Sequence, residues 1–231
     1  MGRVEAPIER ATYERTFKLV ASTLRDADIT FCCMGSLALW ALGGPEPNLQ
    51  QDLDFAICES DVEAAKAALG EAGLALQQPP EDWLFKAWSD GVEEDGSALV
   101  DLIYRPSGIE ITRERLEAYQ ERSLLAMSVR VMDATDLLVT KIRSLTEQGA
   151  DFSSTLQFAR SLREQIDRDD LERRVECTPF GAAFLALVDG LGIGPDASPA
   201  PEFDHGGSRS PGARVSEVAG SGPRLVANSP E

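Results

Sequence analysis

The chain has 231 residues, 43% of them hydrophobic, which is enough for one sizeable core and at most two compact domains. Its formal charge of −17, from 39 acidic and 22 basic residues, opposes extended binding to DNA or RNA, where Lys and Arg must neutralise many phosphates, but not a recessed pocket for one nucleotide or one RNA end. No run reaches the roughly 18 apolar residues of a membrane span, and Met1-Gly2-Arg3-Val4-Glu5 lacks the layout of a signal peptide, so the expected location is the cytoplasm, with no membrane partner.

In chain order, Ile8 to Leu24 carries Tyr13, Phe17, Val20 and Leu24 at helical spacing. Asp26-Ala27-Asp28 breaks it, and the apolar run Ile29 to Met34 predicts a buried strand. Ser36 to Leu42 predicts a short helix stopped by Gly43-Gly44-Pro45. A polar loop then leads to the strand Leu53 to Cys58. Ser60, with Glu63 three residues on, predicts a capped helix to about Gly70 or Gly73. Trp83 to Trp88 and Ala98 to Tyr104 predict two strands around the turn-rich Ser89 to Ser97.

Thr112 to Leu125 then reads as helical and Met127 to Met132 as a strand. Asp133-Ala134-Thr135-Asp136 resembles a helix start, with Leu137, Leu138, Ile142 and Leu145 on one face. Further helices are predicted at about Ser154 to Gln165, Asp169 to Cys177 and Phe180 to Leu191. From Gly192 onward the composition turns to Gly, Pro and Ser, which predicts a disordered tail, and the only histidine, His205, lies there. Strands first and helices afterwards argue for an α+β fold: a small mixed sheet with flanking helices over residues 1–132, a helical C-terminal layer over 133–191, and the tail over 192–231. Cys32, Cys33, Cys58 and Cys177 show no zinc-like spacing and read as buried free thiols.

The chemistry concentrates at four places. Asp52 and Asp54 stand one residue apart, so on a strand both carboxylates project from the same face and can meet one hard cation such as Mg²⁺. Asp101 lies inside the apolar run Leu99 to Tyr104, where a carboxylate demands a partner. Gly35-Ser36 follows an apolar strand and opens a helix; a glycine there lets backbone approach phosphate oxygens, and the helix start presents unpaired N–H groups. Taken singly, each has an ordinary structural reading; the ordered combination carries the argument. Arg105 could reach a phosphate or close a surface ion pair. Trp83 and Trp88 read as core or rim aromatics, and Arg160, Arg163, Arg173 and Arg174 as a salt-bridged, solvated face.

Met34-Gly35-Ser36, Asp52-Leu53-Asp54 and Asp101, in that order, resemble the DNA polymerase β-like nucleotidyltransferase superfamily, and within it the small bacterial members of toxin–antitoxin and aminoglycoside-resistance systems. The resemblance implies a nucleotidyltransferase core that binds a nucleoside triphosphate such as ATP with Mg²⁺. It implies transfer of a nucleotidyl group to a hydroxyl on a small molecule, an RNA 3′ end or a partner protein. Asp52, Asp54 and Asp101 would be the catalytic and metal-holding residues, and Gly35, Ser36 and Lys141 would bind the triphosphate. Asn48-Leu49-Gln50-Gln51 departs from the Arg or Thr that relatives often carry ahead of the paired acids. The alternative reading is a catalytically silent, nucleotidyltransferase-like binding module such as an antitoxin component.

Overall fold

In the computed structural model, which describes residues 9–49, 52–89 and 98–193, every described residue falls within the unit Met1–Ala200. Tyr13, Phe17, Val20, Ala21 and Leu24 form the buried stripe of α1 (Arg10–Asp26). Asp28, at φ 56°, turns the chain out of it. The strand β1 (Phe31–Cys33) is short and wholly buried. After it, α2 (Gly35–Ala41) turns back at Gly43. Next come β2 (Leu53–Ile57), α3 (Val62–Glu71), β3 (Ala75–Gln77), β4 (Leu84–Trp88) and β5 (Leu99–Ile103).

These five strands form one mixed sheet in the order β1-β2-β5-β4-β3, in which only β2 and β5 are parallel neighbours. The pleat gives the sheet two faces of different character. Phe55 and Phe85 belong to the face packed by helices: the Phe17 ring stacks on Phe55 with centroids 5.8 Å apart, and the Lys66 ammonium lies 5.6 Å from the Phe85 ring. The opposite face carries Asp54, Ala56, Asp101, Ile103 and Lys86, in the register Asp54 beside Asp101 beside Lys86.

The predicted helix over Thr112 to Leu125 is a correction. Only α4 (Arg113–Ala118) is helical; β6 (Glu121–Leu124) follows and pairs with β7 (Met127–Arg130). Leu125 and Ala126, at φ 50° and 64°, make a tight hairpin turn that usually calls for Asn and Gly, so the sequence carries no mark of it. The hairpin is decided by where it docks: Val131 bridges Cys33 and the Met132 amide donates to the Cys33 carbonyl at 3.0 Å, covering the edge of β1. The Ser60 cap also fails to form. A 3₁₀ turn over Glu59–Asp61 precedes α3, whose N-cap is Asp61 without a side-chain cap bond. The strand β3 escapes sequence reading because it has three residues, none of them buried.

Strand gives way to helix at Asp133, whose carboxylate accepts from the Asp136 amide at 2.8 Å and starts α5 (Ala134–Arg143). The same device recurs at Asp151 for α6 (Phe152–Leu162), Asp167 for α7 (Arg168–Val175) and Thr178 for α8 (Pro179–Gly190). Asp136 is buried and receives Tyr119, Arg115 and Arg174. It thereby ties α4, α5 and α7 together. Arg174 is thus no member of a solvated face, whereas Arg173 pairs on the surface with Asp170. Cys32, Cys33 and Cys58 are buried free thiols; Cys177 is exposed, with the Arg143 guanidinium 3.1 Å from its sulfur. His205 and the proposed tail beyond residue 193 lie outside the described residues.

Candidate functional site

The site grows from the parallel pairing of β2 with β5. Asp54 and Asp101 are direct register partners, so their side chains leave the sheet side by side on the face away from Phe55. Asp52 stands just ahead of β2 and close enough that Asp101 adds to the upward push that burial gives its carboxyl. Burial first, then Asp101 and Asp52, push Asp54 up to about 8, with Lys86 and Lys141 easing it. Three carboxylates thus crowd one place with too little positive charge to balance them.

Beside them lies the turn between β1 and α2. The Met34 amide donates to the Asp54 carbonyl at 3.0 Å, which pins the turn to the strand. Gly35 has φ 56° and sits directly against the Asp54 carboxylate: a Cβ at this position would overlap Oδ2. The neighbouring Ser36 hydroxyl is buried and has no hydrogen-bond partner among the described residues. A buried hydroxyl without a partner is costly unless a ligand or water supplies one.

Lys141 reaches the same region from α5. Its ammonium lies 4.6 Å from the centroid of the Phe158 ring, and burial lowers its pKa while Asp151 and Asp54 pull the other way. A cavity of about 290 Å³ opens here, walled by Gly35, Trp83, Ile103, Arg105, Lys141 and Phe158. Trp83 is 40% exposed in its wall. Arg105 is committed to Glu59 and Asp82 on the surface.

The structure therefore brings Asp52, Asp54 and Asp101 to one face, with Gly35 and Ser36 beside Asp54 and Lys141 across the cavity. Among the described residues, however, no three acidic, thiol or imidazole side chains stand as a ready-made metal cage. Both oxygens of Asp101 instead accept from the Lys86 ammonium, at 2.8 and 3.1 Å. Sequence reading missed Lys86. Its signal was a lone ammonium within the apolar strand Trp83 to Trp88, set at a position that alternation turns toward Asp101. It also missed Tyr13, whose buried hydroxyl has no partner among the described residues and whose pKa is raised by burial and then by Asp54. Gln50 and Gln51, half of the segment that departs from the superfamily pattern, lie outside the described residues.

As a donor set these residues fit a hard divalent cation. Asp52 and Asp54 offer carboxylate oxygens, and burial first and Asp101 second push both carboxyls up, a cost that a bound cation would relieve.

The five-stranded mixed sheet with its flanking helices has the fold of known nucleotidyltransferases. Among solved structures, the antibiotic-resistance factor ANT(2'')-Ia in solution matches with a TM-score of 0.52 and 15% identity, covering 79% of this chain and 96% of that one. The crystal structure of ANT(2'')-Ia in complex with adenylyl-2''-tobramycin matches at 0.51 and 14% identity, covering 75% and 97%. Lincomycin-bound lincosamide adenylyltransferase LnuA matches at 0.45 and 11% identity, covering 66% and 97%. No protein-family model matches the chain, and no curated protein matches its sequence. At these identities the likeness establishes the fold and leaves the reaction to the site.

Proposed function

We propose that this protein transfers a nucleotidyl group from a nucleoside triphosphate to a hydroxyl of a small-molecule acceptor, with Mg²⁺. The observation that carries this reading is the register pairing of Asp54 with Asp101 beside the Gly35-Ser36 turn. The acceptor oxygen would attack the α-phosphorus, the bond to the bridging oxygen would break, and pyrophosphate would leave.

Asp52 and Asp54 would hold the divalent ion, which supplies charge neutralisation and orientation at the phosphates. The Ser36 hydroxyl and the amide groups of its turn would donate to phosphate oxygens, which gives the partnerless hydroxyl its acceptor. Lys141 would face the triphosphate across the cavity, and Trp83 and Phe158 would flank the nucleoside. Asp101 would take the proton of the attacking hydroxyl. Catalysis would rest on positioning and charge rather than on a protein nucleophile.

A cationic small molecule is the acceptor class this reading favours. Residues 1–191 carry −15 of the −17 charge, which attracts cations, and ANT(2'')-Ia is seen with adenylyl-2''-tobramycin. No helix among the described residues is long and apolar enough to cross a membrane. The cytoplasm, where nucleoside triphosphates are made, is the proposed site of action.

The test is incubation with each of the four triphosphates labelled at the α-phosphate, Mg²⁺, and a panel of aminoglycosides, lincosamides, RNA and cell extract. Label on a small cationic acceptor supports the reading in full. Label on RNA or protein keeps the reaction and replaces the acceptor. If no triphosphate is consumed and none raises the melting temperature, the silent binding module is the better description.

A further inference from the structure

We propose that Lys86 takes the place of a second divalent ion, so that the site holds a single ion on Asp52 and Asp54 while Asp101 stays with Lys86. This rests on the nucleotidyltransferase reading and assigns a role to a residue that reading does not use.

Three observations lead to it. The register places Asp54, Asp101 and Lys86 in one row across β2, β5 and β4, on the same face. The Lys86 ammonium donates to both Asp101 oxygens, and the two side chains are only 25% and 10% exposed, so the pair is no loose surface bridge. Asp101 has no other cation beside it among the described residues, and no three-ligand cage forms with Asp52 and Asp54.

The physical consequence follows from space and charge. A metal ion bound to Asp101 would sit at roughly 2.0–2.1 Å from a carboxylate oxygen. From the β4 side, the ammonium already holds both oxygens, at 2.8 and 3.1 Å, and a divalent charge on either of them would be repelled by it at close range. The single charge of Lys86 also reaches Asp52 and Asp54, where it partly offsets the crowding of carboxylates. Lys86 is a positioning residue in this scheme: it holds Asp101 in a fixed orientation beside the row and keeps a second ion out. An apolar or neutral residue at 86 would leave Asp101 free to ligate.

The experiment counts Mn²⁺ by electron paramagnetic resonance in the full chain, saturated with the α,β-methylene analogue of ATP. The parent is expected to bind one Mn²⁺ per ternary complex, with no spin-coupled pair. Lys86→Met and Lys86→Gln are expected to bind two and to show the broadening of a coupled pair, and Lys86→Arg one. Adding Asp101→Asn to Lys86→Gln should return the count to one. Two ions in the parent, or an unchanged count in a folded Lys86→Gln, overturns the proposal while leaving nucleotidyl transfer in place. Failure of the parent to bind either analogue or Mn²⁺ overturns both. The parent count needs no variant, so a poorly folding Lys86→Met leaves the test decisive.

Discussion

Gly35 and Asp54 share a space that leaves no room for a side chain at position 35. The Cβ of any other residue would overlap Oδ2 of Asp54, and φ of 56° adds the strain of the left-handed region. Gly35→Ala is expected to cost about 1–2 kcal/mol in backbone strain and to displace the carboxylate. Transfer should fall by about 10- to 100-fold, as when metal sites lose their supporting geometry. Gly43→Ala is the control: φ is 100° but nothing lies within 4 Å of its Cβ. It should lose stability and keep activity, as read by thermal unfolding alongside turnover.

The Asp54 carboxyl is pushed up to about 8 from 3.8, mainly by burial and then by Asp101 and Asp52. The folded chain therefore keeps a proton that the unfolded chain releases above pH 3.8, and this group's contribution to stability falls as pH rises from there to about 8. Asp54→Asn removes the dependence. The melting temperature of the variant should gain on the parent as pH rises from 5 to 8, at a slope of at most about 1.4 kcal/mol per pH unit. Mg²⁺ at pH 8 should close that gap in the parent only. A gap that shrinks with pH would contradict the assignment.

Lys141 is half-buried and lines the cavity, near enough to Asp54 to feel its charge. A charge-assisted hydrogen bond to phosphate contributes roughly 1.5–3 kcal/mol. Lys141→Met should therefore raise KM for the triphosphate by about 10- to 100-fold, with a smaller change in kcat. Since Met can still pack on Phe158, the melting temperature of the ligand-free protein should shift little.

Asp136 holds the C-terminal helices to the rest. Burial alone would raise its pKa, but hydrogen bonds from Tyr119, Arg115 and Arg174 outweigh it and hold the carboxyl below its ordinary value. Its contribution to stability is thus present above the ordinary Asp value of 3.8 and is lost as pH falls below it. Asp136→Asn should cost about 3 kcal/mol in denaturant unfolding at pH 7. Turnover measured well below the melting temperature should be little changed, because no part of this cluster lines the cavity.

Much of this architecture was legible in residue order. The stripe Tyr13, Phe17, Val20 and Leu24 marks α1, and the spacing of Asp52 and Asp54 puts two carboxylates on one side of a strand before any pairing is known. Caps such as Asp133 announce a helix because the capping bond is local. Thr112 to Leu125 misleads for the converse reason: its hairpin turn uses Leu125 and Ala126, and what stabilises it is docking against β1, which local pattern does not encode. The exposed three-residue β3 leaves no apolar signature at all.

What the sequence determined by itself was the identity and order of the groups: a Gly-Ser turn, two acids one residue apart, and a third acid in an apolar strand. Those follow from period and chemistry along the chain. Tertiary structure alone decided who faces whom. Parallel pairing of β2 with β5 set Asp54 against Asp101, and antiparallel pairing of β4 with β5 set Lys86 against Asp101. Register between strands is fixed by side-chain packing across the whole sheet, and a slip of one residue would have turned Lys86 to the other face and left Asp101 without its ammonium.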